Sequence, residues 1–314
     1  MIPKNTGKWP ESRIGIVSKR GWILFIALGI IWGTPYLFIR IAVADLSPAV
    51  VVFGRVMLAA AILLPIAIHQ GHARTLRTHW KGILTFAVIE MCIPFGSLGI
   101  AEKEISSSLT GLLIAAVPLI NAVISRQLGL DSVWDARRII GLFVGFFGVG
   151  MLVGFDISVN NYWAILICFI AATGYALGPI IITKLLSDAA SIGVIAWSLL
   201  VAGLIYLPIV GFEIVNDSWR TPGVTVVSTE AIASVIALAV ICSAIAFVAL
   251  FALVEEVGPT RTTVITYINP AVAIILGIMI LNEDLTYGII IGFPLVLIGS
   301  VMATRRNVEV TEER

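Results

Sequence analysis

The chain has 314 residues, of which 59% are hydrophobic and only 12% are charged, a composition typical of an integral membrane protein rather than a soluble one. A formal net charge of +1 excludes the strong basic excess that a nucleic-acid partner usually requires. The three cysteines, Cys92, Cys168 and Cys242, lie in apolar runs, and their odd number and wide spacing predict neither a disulfide framework nor a metal site. We therefore expect a lipid bilayer as the principal partner, and no metal, cofactor or nucleic acid.

Ten apolar segments are each about long enough to cross a bilayer, which requires about 20 residues. In chain order they cover 21–43, 48–68, 81–101, 105–127, 136–154, 161–186, 190–212, 230–254, 260–281 and 286–304. Lipid offers no hydrogen-bond partners to the backbone, and these runs are continuous rather than alternating, so they predict helices and not a barrel. The expected fold class is an all-α integral membrane protein with ten transmembrane helices.

The distribution of lysine and arginine predicts the orientation of the chain. If the N-terminus is cytoplasmic, nearly all of the 20 basic residues fall on the cytoplasmic side, and the outer loops hold only Arg40, Lys103 and Arg220. Residues 1–20 and 305–314 are then cytoplasmic tails. The first apolar run is too long for a signal-peptide core, so we expect it to remain as the first span of a multi-pass cell-membrane protein.

Residues 21–154 and 161–304 share an order of prolines and glycines that predicts a duplication. The matched prolines are Pro35 with Pro179, Pro65 with Pro208, and Pro118 with Pro270. Each unit holds five spans, an odd number, so the second copy enters the membrane from the opposite side. Inverted repeats of this kind bind substrate near the bilayer midplane, between the halves, and expose it alternately to each side.

Broken helices at corresponding positions are the best sequence pointer to such a site. Pro118 lies in the fourth span with Asn121 one turn later, and Pro270 follows Asn269 in the ninth. Each proline removes one backbone hydrogen bond and frees the carbonyl four residues earlier. The two carbonyls belong to Ile114 and Thr266. They could accept from substrate or water, or a neighbouring serine, threonine or helix could satisfy them.

Two fully charged side chains lie well inside spans, Arg55 in "VVFGRVMLAAAILLPIAI" and Glu90 in "FAVIEMCIPF". Charges at this depth cost from about 2.5 kcal/mol upward, so a functional role is the default hypothesis. Arg55 could hold a substrate carboxylate or exchange partners with Glu90, which could carry a proton. Alternatively, the two form a fixed ion pair between spans, or Arg55 extends to the outer interface.

Polar and aromatic side chains in mid-span complete the candidate substrate site. Tyrosine hydroxyls at this depth need a partner, which favours a cavity-facing position for Tyr175 and Tyr267. Trp32 and Thr34 are further candidates, although ordinary packing explains each residue taken alone. Together with Asn121 and Asn269, they predict a mostly neutral, aromatic cavity suited to a small amphipathic solute.

Other conspicuous residues are better explained by structure. Glycines at four-residue spacing let helices approach closely; these are Gly141 with Gly145, Gly150 with Gly154, and Gly288 with Gly292. Acidic residues that precede the same helices should cap them; these are Asp131, Asp135, Glu283 and Asp284. His69, His72 and His79 predict a solvated loop more readily than a metal site.

Several stretches carry a family pattern: "IIWGTPYLFIRIAVADLSPAVVVFGRVMLAAAILL", the glycine-rich "GLFVGFFGVGMLVG" and "GIIIGFPLVLIGSVM", and "NPAVAIILGIMILNED". With Trp32–Gly33 and Arg55, they make the chain similar to the EamA family of the drug/metabolite transporter superfamily over nearly its whole length. The resemblance implies ten helices in two inverted repeats and transport, often export, of small metabolites such as amino acids. Phosphorylated cargo is disfavoured because it would require several cations at membrane depth.

We therefore predict an exporter of a small amphipathic metabolite that works by alternating access, with a proton as the candidate coupling ion and a single chain sufficient for function. A membrane-embedded enzyme is one alternative, but no histidine lies inside a span and no nucleophile lies beside a base at a recognisable spacing. A passive channel is another, disfavoured by the inverted repeat and by the lack of charged rings.

Overall fold

The computed structural model describes residues 18–130, 135–154, 162–257 and 262–304, which form helices and connecting loops. Nine helical segments in these ranges are long and apolar enough to cross a membrane. They are Lys19–Asp45, Pro48–His69, Thr75–Ala101, Ser107–Gln127, Ala136–Gly154, Tyr162–Leu185, Ser191–Val215, Thr229–Val257 and Tyr287–Thr304. The prediction of an all-α membrane protein is confirmed. Asp131 and most of the two predicted tails lie outside the described residues.

The ninth predicted span, 260–281, is shorter than the others in the described part of the chain. A 3-10 helix over Thr263–Tyr267 is followed by an α-helix over Asn269–Leu281. The apolar helical segment counted from Ile265 to Leu281 falls below the length of the nine spans. The described residues therefore give nine full-length spans and one shorter apolar helix.

We number the α-helices in chain order. They are α1 (Lys19–Gly33), α2 (Pro35–Asp45), α3 (Pro48–His69), α4 (Thr75–Phe86), α5 (Ile93–Ala101), α6 (Ser107–Ile114), α7 (Val117–Gln127), α8 (Ala136–Gly154), α9 (Tyr162–Leu185), α10 (Ser191–Val215), α11 (Thr229–Ala239), α12 (Ala246–Val257), α13 (Asn269–Leu281) and α14 (Tyr287–Thr304). A first π-helix (Ala87–Cys92) joins α4 to α5, and a second (Val240–Ile245) joins α11 to α12.

The two π-helices interrupt corresponding spans of the two halves of the chain. A π-helix holds one extra residue in its turn, so it re-aims the side chains that it carries and is frequent at functional sites. Pro94, in the first turn of α5, has no N–H to bond the carbonyl four residues earlier, and the N–H of Ile93 instead reaches the carbonyl of Val88. The local sequence thus explains the first interruption, which carries Glu90.

Serines begin three of the helices at one end of the bundle. Ser47, Ser106 and Ser228 precede α3, α6 and α11, and each side-chain oxygen accepts a hydrogen bond from a backbone N–H in the first turn. Such caps satisfy donors that the helix itself leaves unpaired and stabilise a helix by about 1 kcal/mol. They fix where these spans begin.

The main packing contacts join helices from opposite halves of the chain. Helix α8 packs against α14, α3 against α10, α5 against α9, α2 against α11 and α6 against α13. In every pair one helix lies within 19–154 and the other within 162–304. The halves are therefore interleaved, and any space between them is lined by both.

Glycines produce the closest of these contacts, between α8 and α14. A Cβ added to Gly141 would overlap α14, and a Cβ added to Gly299 of α14 would overlap the backbone of Gly145, so the packing predicted for this pair is confirmed. The same prediction is wrong for Gly150 and Gly154, where a Cβ would meet no heavy atom of the described residues within 4 Å. These two glycines lie on the outward face of the last turns of α8.

The predicted acidic caps have mixed outcomes. Asp135 accepts a hydrogen bond from the backbone N–H of Arg138 at 2.9 Å and caps α8 as expected. Glu283 does not cap α14, whose first turn is bonded by the Thr286 hydroxyl. It caps α6 in the other half of the chain, because its carboxylate reaches the N–H groups of Ser107 and Ser108 at 2.7 and 2.9 Å.

Candidate functional site

A cavity of about 450 Å³ lies between the two halves and is lined by residues from both. Its size is within the range of small-molecule binding sites. Its aromatic lining consists of Trp32, Tyr36, Phe86, Phe95, Tyr175, Phe247 and Phe251. Arg55 and Glu90 contribute the charged side chains of this lining.

The structure brings most of the sequence-predicted site residues to this cavity. Trp32, Arg55, Glu90, Tyr175, Asn269 and Pro270 line it. Asn121, Tyr267, Thr34 and Pro118 are not part of the lining. The predicted constellation therefore separates into a cavity group and a group that holds helices together.

Glu90 reaches the cavity from the first π-helix, packed closely against α9. A Cβ on Gly178 of α9 would overlap the Glu90 carboxylate, so only glycine leaves room for it there. The Glu90 Oε2 atom is buried and has no hydrogen-bond partner in the described part of the chain. A buried polar atom without a partner is costly, so this carboxyl must be neutral or be satisfied by something that enters the cavity.

Arg55 is held on two sides by the protein. Its side chain is 7% exposed, its Nε donates to the Ser243 hydroxyl at 3.0 Å, and its guanidinium lies 3.8 Å from the centroid of the Phe95 ring. Ser243 belongs to the second π-helix and donates in turn to the carbonyl of Leu238 at 2.9 Å. The guanidinium is therefore fixed between α5 and the second π-helix while it still lines the cavity.

The suggested ion pair between Arg55 and Glu90 is not present among the described residues, and this interpretation is corrected. Ser243 and Phe95 hold the guanidinium on one side of the cavity. The π-helix turns Glu90 toward Gly178 on α9. The two charges therefore face the same space without neutralising each other directly.

Both proline positions separate two short helices instead of bending one long helix. Helix α6 ends at Ile114 and α7 begins at Val117, with Pro118 in its first turn. The 3-10 helix ends at Tyr267, and Pro270 lies in the first turn of α13. Ile114 and Thr266, whose carbonyls the prolines were expected to free, both line the cavity. At the first break the Ser300 hydroxyl donates to the adjacent carbonyl of Ala115 at 3.4 Å.

The two asparagines bond to backbone carbonyls and tie helices together. Asn121 Nδ2 donates to the carbonyl of Ala176 at 2.7 Å and joins α7 to α9 beside Pro179. With its amide nitrogen turned toward the neighbouring carbonyls, Asn269 donates to Gly29 and to Ile265 at 3.0 Å each. Asn269 thus lines the cavity while its amide nitrogen donates to backbone carbonyls of the protein.

Two other predicted site residues bond away from the cavity. The Tyr267 hydroxyl lies 3.0 Å from the Thr304 hydroxyl of α14. The Thr34 hydroxyl donates to the carbonyl of Ile31 at 2.8 Å and lies 3.2 Å from the sulfur of Cys242. These contacts satisfy hydroxyl groups between helices.

One end of the bundle, called the closed end, is fastened by hydrogen bonds between the halves. It carries the loops 46–47, 102–106, 216–228 and 282–286. Asp45 accepts from the backbone N–H of Ser228 at 2.7 Å and also from its hydroxyl. The hydroxyl of Ser47 donates to Glu213 at 2.5 Å, and Glu283 holds the start of α6. The deepest cavity residues on this side, Tyr36 and Leu98, are buried.

The opposite end, called the open end, carries the loops 70–74 and 186–190. The cavity lining reaches Ala189 and Ser191 there, and Ser191 is exposed, so the cavity meets solvent on this side. His79 Nε2 lies 3.2 Å from Asp188 Oδ2 and bridges the halves at the surface. This hydrogen bond lowers the pKa of the Asp188 carboxyl below its ordinary value. No group of three or more metal-ligating side chains is placed to hold a metal ion in the described ranges.

Sequence reasoning missed Ser243, Phe95 and Gly178, the residues that position the two charges. Ser243 is a lone hydroxyl in the apolar run "AVICSAIAF", and a buried hydroxyl in the half opposite Arg55 was an available signal. Gly178 precedes Pro179 and was not singled out. No sequence pattern distinguishes Phe95, because its role depends only on the position of its ring beside the Arg55 guanidinium.

Known proteins that are similar to this chain are named as transporters. The chain is 25% identical over 265 residues to the uncharacterized inner membrane transporter YedA of Escherichia coli, covering 83% of this chain and 82% of that protein. It is also 25% identical to the uncharacterized transporter YvbV of Bacillus subtilis, with 89% of this chain and 90% of that protein covered.

A solved structure described as a crystal structure of protein has the same fold. It superposes with a TM-score of 0.64 at 18% identity and covers 92% of this chain and 98% of that one. The model of the EamA-like transporter family matches residues 19–154 and again residues 162–305. Together these matches cover nearly all of the chain. The chain therefore belongs to the EamA-like transporter family, whose members are transporters and not enzymes, and it is a multi-pass protein of the cell membrane.

Proposed function

We propose that this protein exports a small amphipathic metabolite, such as an amino acid, by alternating access, with the cavity between its halves as the substrate site. The observation that carries the proposal is the cavity itself. It is lined by both halves, closed at one end and open at the other, and holds a fixed cation and a carboxyl without a partner. A site that opens to one side at a time is what alternating access requires.

The architecture we propose is ten spans in two inverted repeats, residues 21–154 and 161–304, with both termini cytoplasmic. Three features of the described residues support it: helix pairs that cross between the halves, π-helices in corresponding spans and proline breaks in corresponding spans. The ninth span, 260–281, combines the 3-10 helix with α13. The distribution of lysine and arginine supports a cytoplasmic location for the open end.

The charges and walls of the cavity support a zwitterionic or amphipathic cargo. The guanidinium of Arg55 suits a carboxylate, and the carboxyl of Glu90 suits an amine. Aromatic side chains such as Trp32 and Phe247, whose rings lie 6.2 Å apart edge to face, suit an apolar body. A cavity that opens to the cytoplasm can load cargo there, and export is the direction that the family resemblance implies. Glu90 is the residue we assign to proton coupling.

Counterflow in proteoliposomes tests the proposal. A thermal-shift screen of amino acids, purines and small amines first selects a solute that raises the melting temperature of the purified protein. Uptake of that radiolabelled solute should then be stimulated by the same unlabelled solute inside the vesicles. A channel or an enzyme would show no such stimulation, and its absence for every stabilising solute would refute the proposal.

The Glu90→Gln variant tests the coupling. Because Gln cannot release a proton, we expect transport driven by a pH gradient to be lost while exchange at equal pH persists. Glu104→Gln, which makes the same chemical change in an exposed loop, should behave as the wild type. Full gradient-driven transport by Glu90→Gln would contradict this assignment.

A further inference from the structure

Glu102 is a second buried carboxyl, and it lies at the closed end. It is the residue directly after the span Thr75–Ala101, its exposure is 0%, and neither Oε1 nor Oε2 has a hydrogen-bond partner in the described part of the chain. A buried carboxylate without a partner costs several kcal/mol. The structure therefore has to neutralise Glu102 by other means.

The charged and titratable groups around Glu102 do not bond its carboxylate. Arg40 of α2 donates to the backbone carbonyl of Glu102 instead of to its side chain. The carboxylate oxygens of Glu283 already accept hydrogen bonds from Ser107 and Ser108, and the negative charge of Glu283 lies near that of Glu102. The other titratable groups near enough to interact are Tyr36 of α2, and Tyr175 and Cys168 of α9.

A proton fits this environment better than a metal cation. A dehydrated Na⁺ needs several oxygen ligands, such as the carbonyls of unwound helices, and among the described residues no group of three or more metal-ligating side chains includes Glu102. Burial raises the pKa of Glu102 well above its ordinary value; Arg40 opposes this effect and Glu283 adds to it.

We infer that Glu102 binds a proton while the closed end is shut and releases it when that end opens. The inference rests on the proposed alternating-access function for its place in the cycle, whereas the proton site itself rests on geometry alone. Once deprotonated, Glu102 would place a second negative charge near that of Glu283 in a buried position. When the closed end opens, water can reach Glu102 and removes the free-energy cost of burying its negative charge. Tyr175, a residue of the cavity wall, is near enough to interact with both Glu102 and Glu90.

Infrared spectroscopy of the purified protein tests the proton site directly, because a protonated carboxylic acid has its own C=O stretching band. The measurement is made in Glu90→Gln, so that Glu102 is the remaining buried carboxyl without a partner in the described residues. We expect the acid band to be present at neutral pH, to be lost when Glu102→Gln is added, and to persist when Glu104→Gln is added. Glu102→Asp keeps a carboxyl and should shift the band.

Absence of the acid band from Glu90→Gln at neutral pH would overturn the inference even if no Glu102 variant folds. So would an unchanged band in the double variant with Glu102→Gln. Measuring the melting temperature in sodium and in choline salts tests for a sodium site. A sodium-dependent rise in melting temperature that Glu102→Gln abolishes would also overturn the inference. None of these results depends on counterflow, so a failure of the proton site can be distinguished from a failure of the proposed transport function.

Opening of the closed end gives the second readout. Leu98 lines the cavity near this end and is 2% exposed, so a Leu98→Cys thiol should react slowly with a membrane-impermeant maleimide added outside intact cells. We expect labelling to accelerate as external pH rises, because deprotonation of Glu102 favours the open form. With Glu102→Gln only the increase that every thiol shows as its thiolate fraction grows with pH should remain, whereas Glu104→Gln should follow the wild type. A rise in rate with pH that is as steep in Glu102→Gln as in the parent would refute the coupling.

Discussion

Glu283 should control how readily the closed end of the cavity opens. Its carboxylate accepts hydrogen bonds from the N–H groups of Ser107 and Ser108 and from the Ser108 hydroxyl, at 2.7, 2.9 and 2.5 Å. It thereby ties the loop after α13 to the first turn of α6, in the other half of the chain. A movement that separates the halves at this end has to break these bonds.

The Glu283→Gln variant allows the free energy of these hydrogen bonds to be estimated. The amide keeps the shape of the carboxyl, but its NH₂ group faces one of the two N–H donors and cannot accept from it. At least one hydrogen bond to a charged group is lost, worth about 1.5 to 3 kcal/mol. If the bond exists only while the end is closed, the equilibrium moves toward the open form by about 10- to 150-fold.

The assay is external maleimide labelling of Leu98→Cys in intact cells, and the matched control is Asp284→Asn. Asp284 is the neighbouring acid and is exposed, so its neutralisation should leave the labelling rate unchanged. We expect Glu283→Gln to raise the rate at least about tenfold, as follows from the loss of one such bond. Equal rates in Glu283→Gln and the parent, or an equal increase in Asp284→Asn, would refute the reasoning.

Two further predictions concern the residues that position the cavity charges. Gly178→Ala should displace the Glu90 carboxyl and lower both the transport rate and the melting temperature. The control is Gly211→Ala, because a Cβ added at this helical glycine would meet no heavy atom of the described residues within 4 Å. This control should stabilise the protein by about 0.5 to 1 kcal/mol. Ser243→Ala should cost about 1.5 to 3 kcal/mol, measured by denaturation, because it leaves the buried guanidinium without its hydroxyl partner. Ser198→Ala removes a buried hydroxyl that has no partner in the described residues and should be neutral or stabilising; the reverse order of these two effects would contradict the assignment of Ser243.

The spans were predictable from sequence because the length of an apolar run is itself the physical requirement for crossing a bilayer. The breaks before Pro118 and Pro270 were also readable, since a proline cannot bond back along its own helix. The 3-10 helix in the ninth span was not readable from hydropathy. Residues Thr263–Tyr267 form it ahead of α13, and this winding is a matter of geometry and not of composition.

The partners of the charged residues could not be predicted because they depend on contacts between the halves. Ser243 lies 188 residues from Arg55, and its hydroxyl faces the guanidinium only because a π-helix turns it inward. Glu283 was assigned to the helix that follows it, yet it caps one that begins far earlier in the chain. Sequence spacing identifies a cap within its own helix, whereas a cap across the fold is decided by packing.

The two charges of the cavity differ in how far the protein has already satisfied them, and this difference assigns their roles. Arg55 has a hydroxyl on one side and an aromatic ring on another, so its charge is stabilised whether or not a solute is present. Glu90 has a buried oxygen without a partner, so its charged form requires something to arrive. A proton and the cationic group of a solute compete for that position, because either one removes the cost of the buried charge. Under the proposed function, Arg55 therefore fixes the geometry of the site, and Glu90 is the residue at which the binding of cargo and the binding of a proton exclude one another.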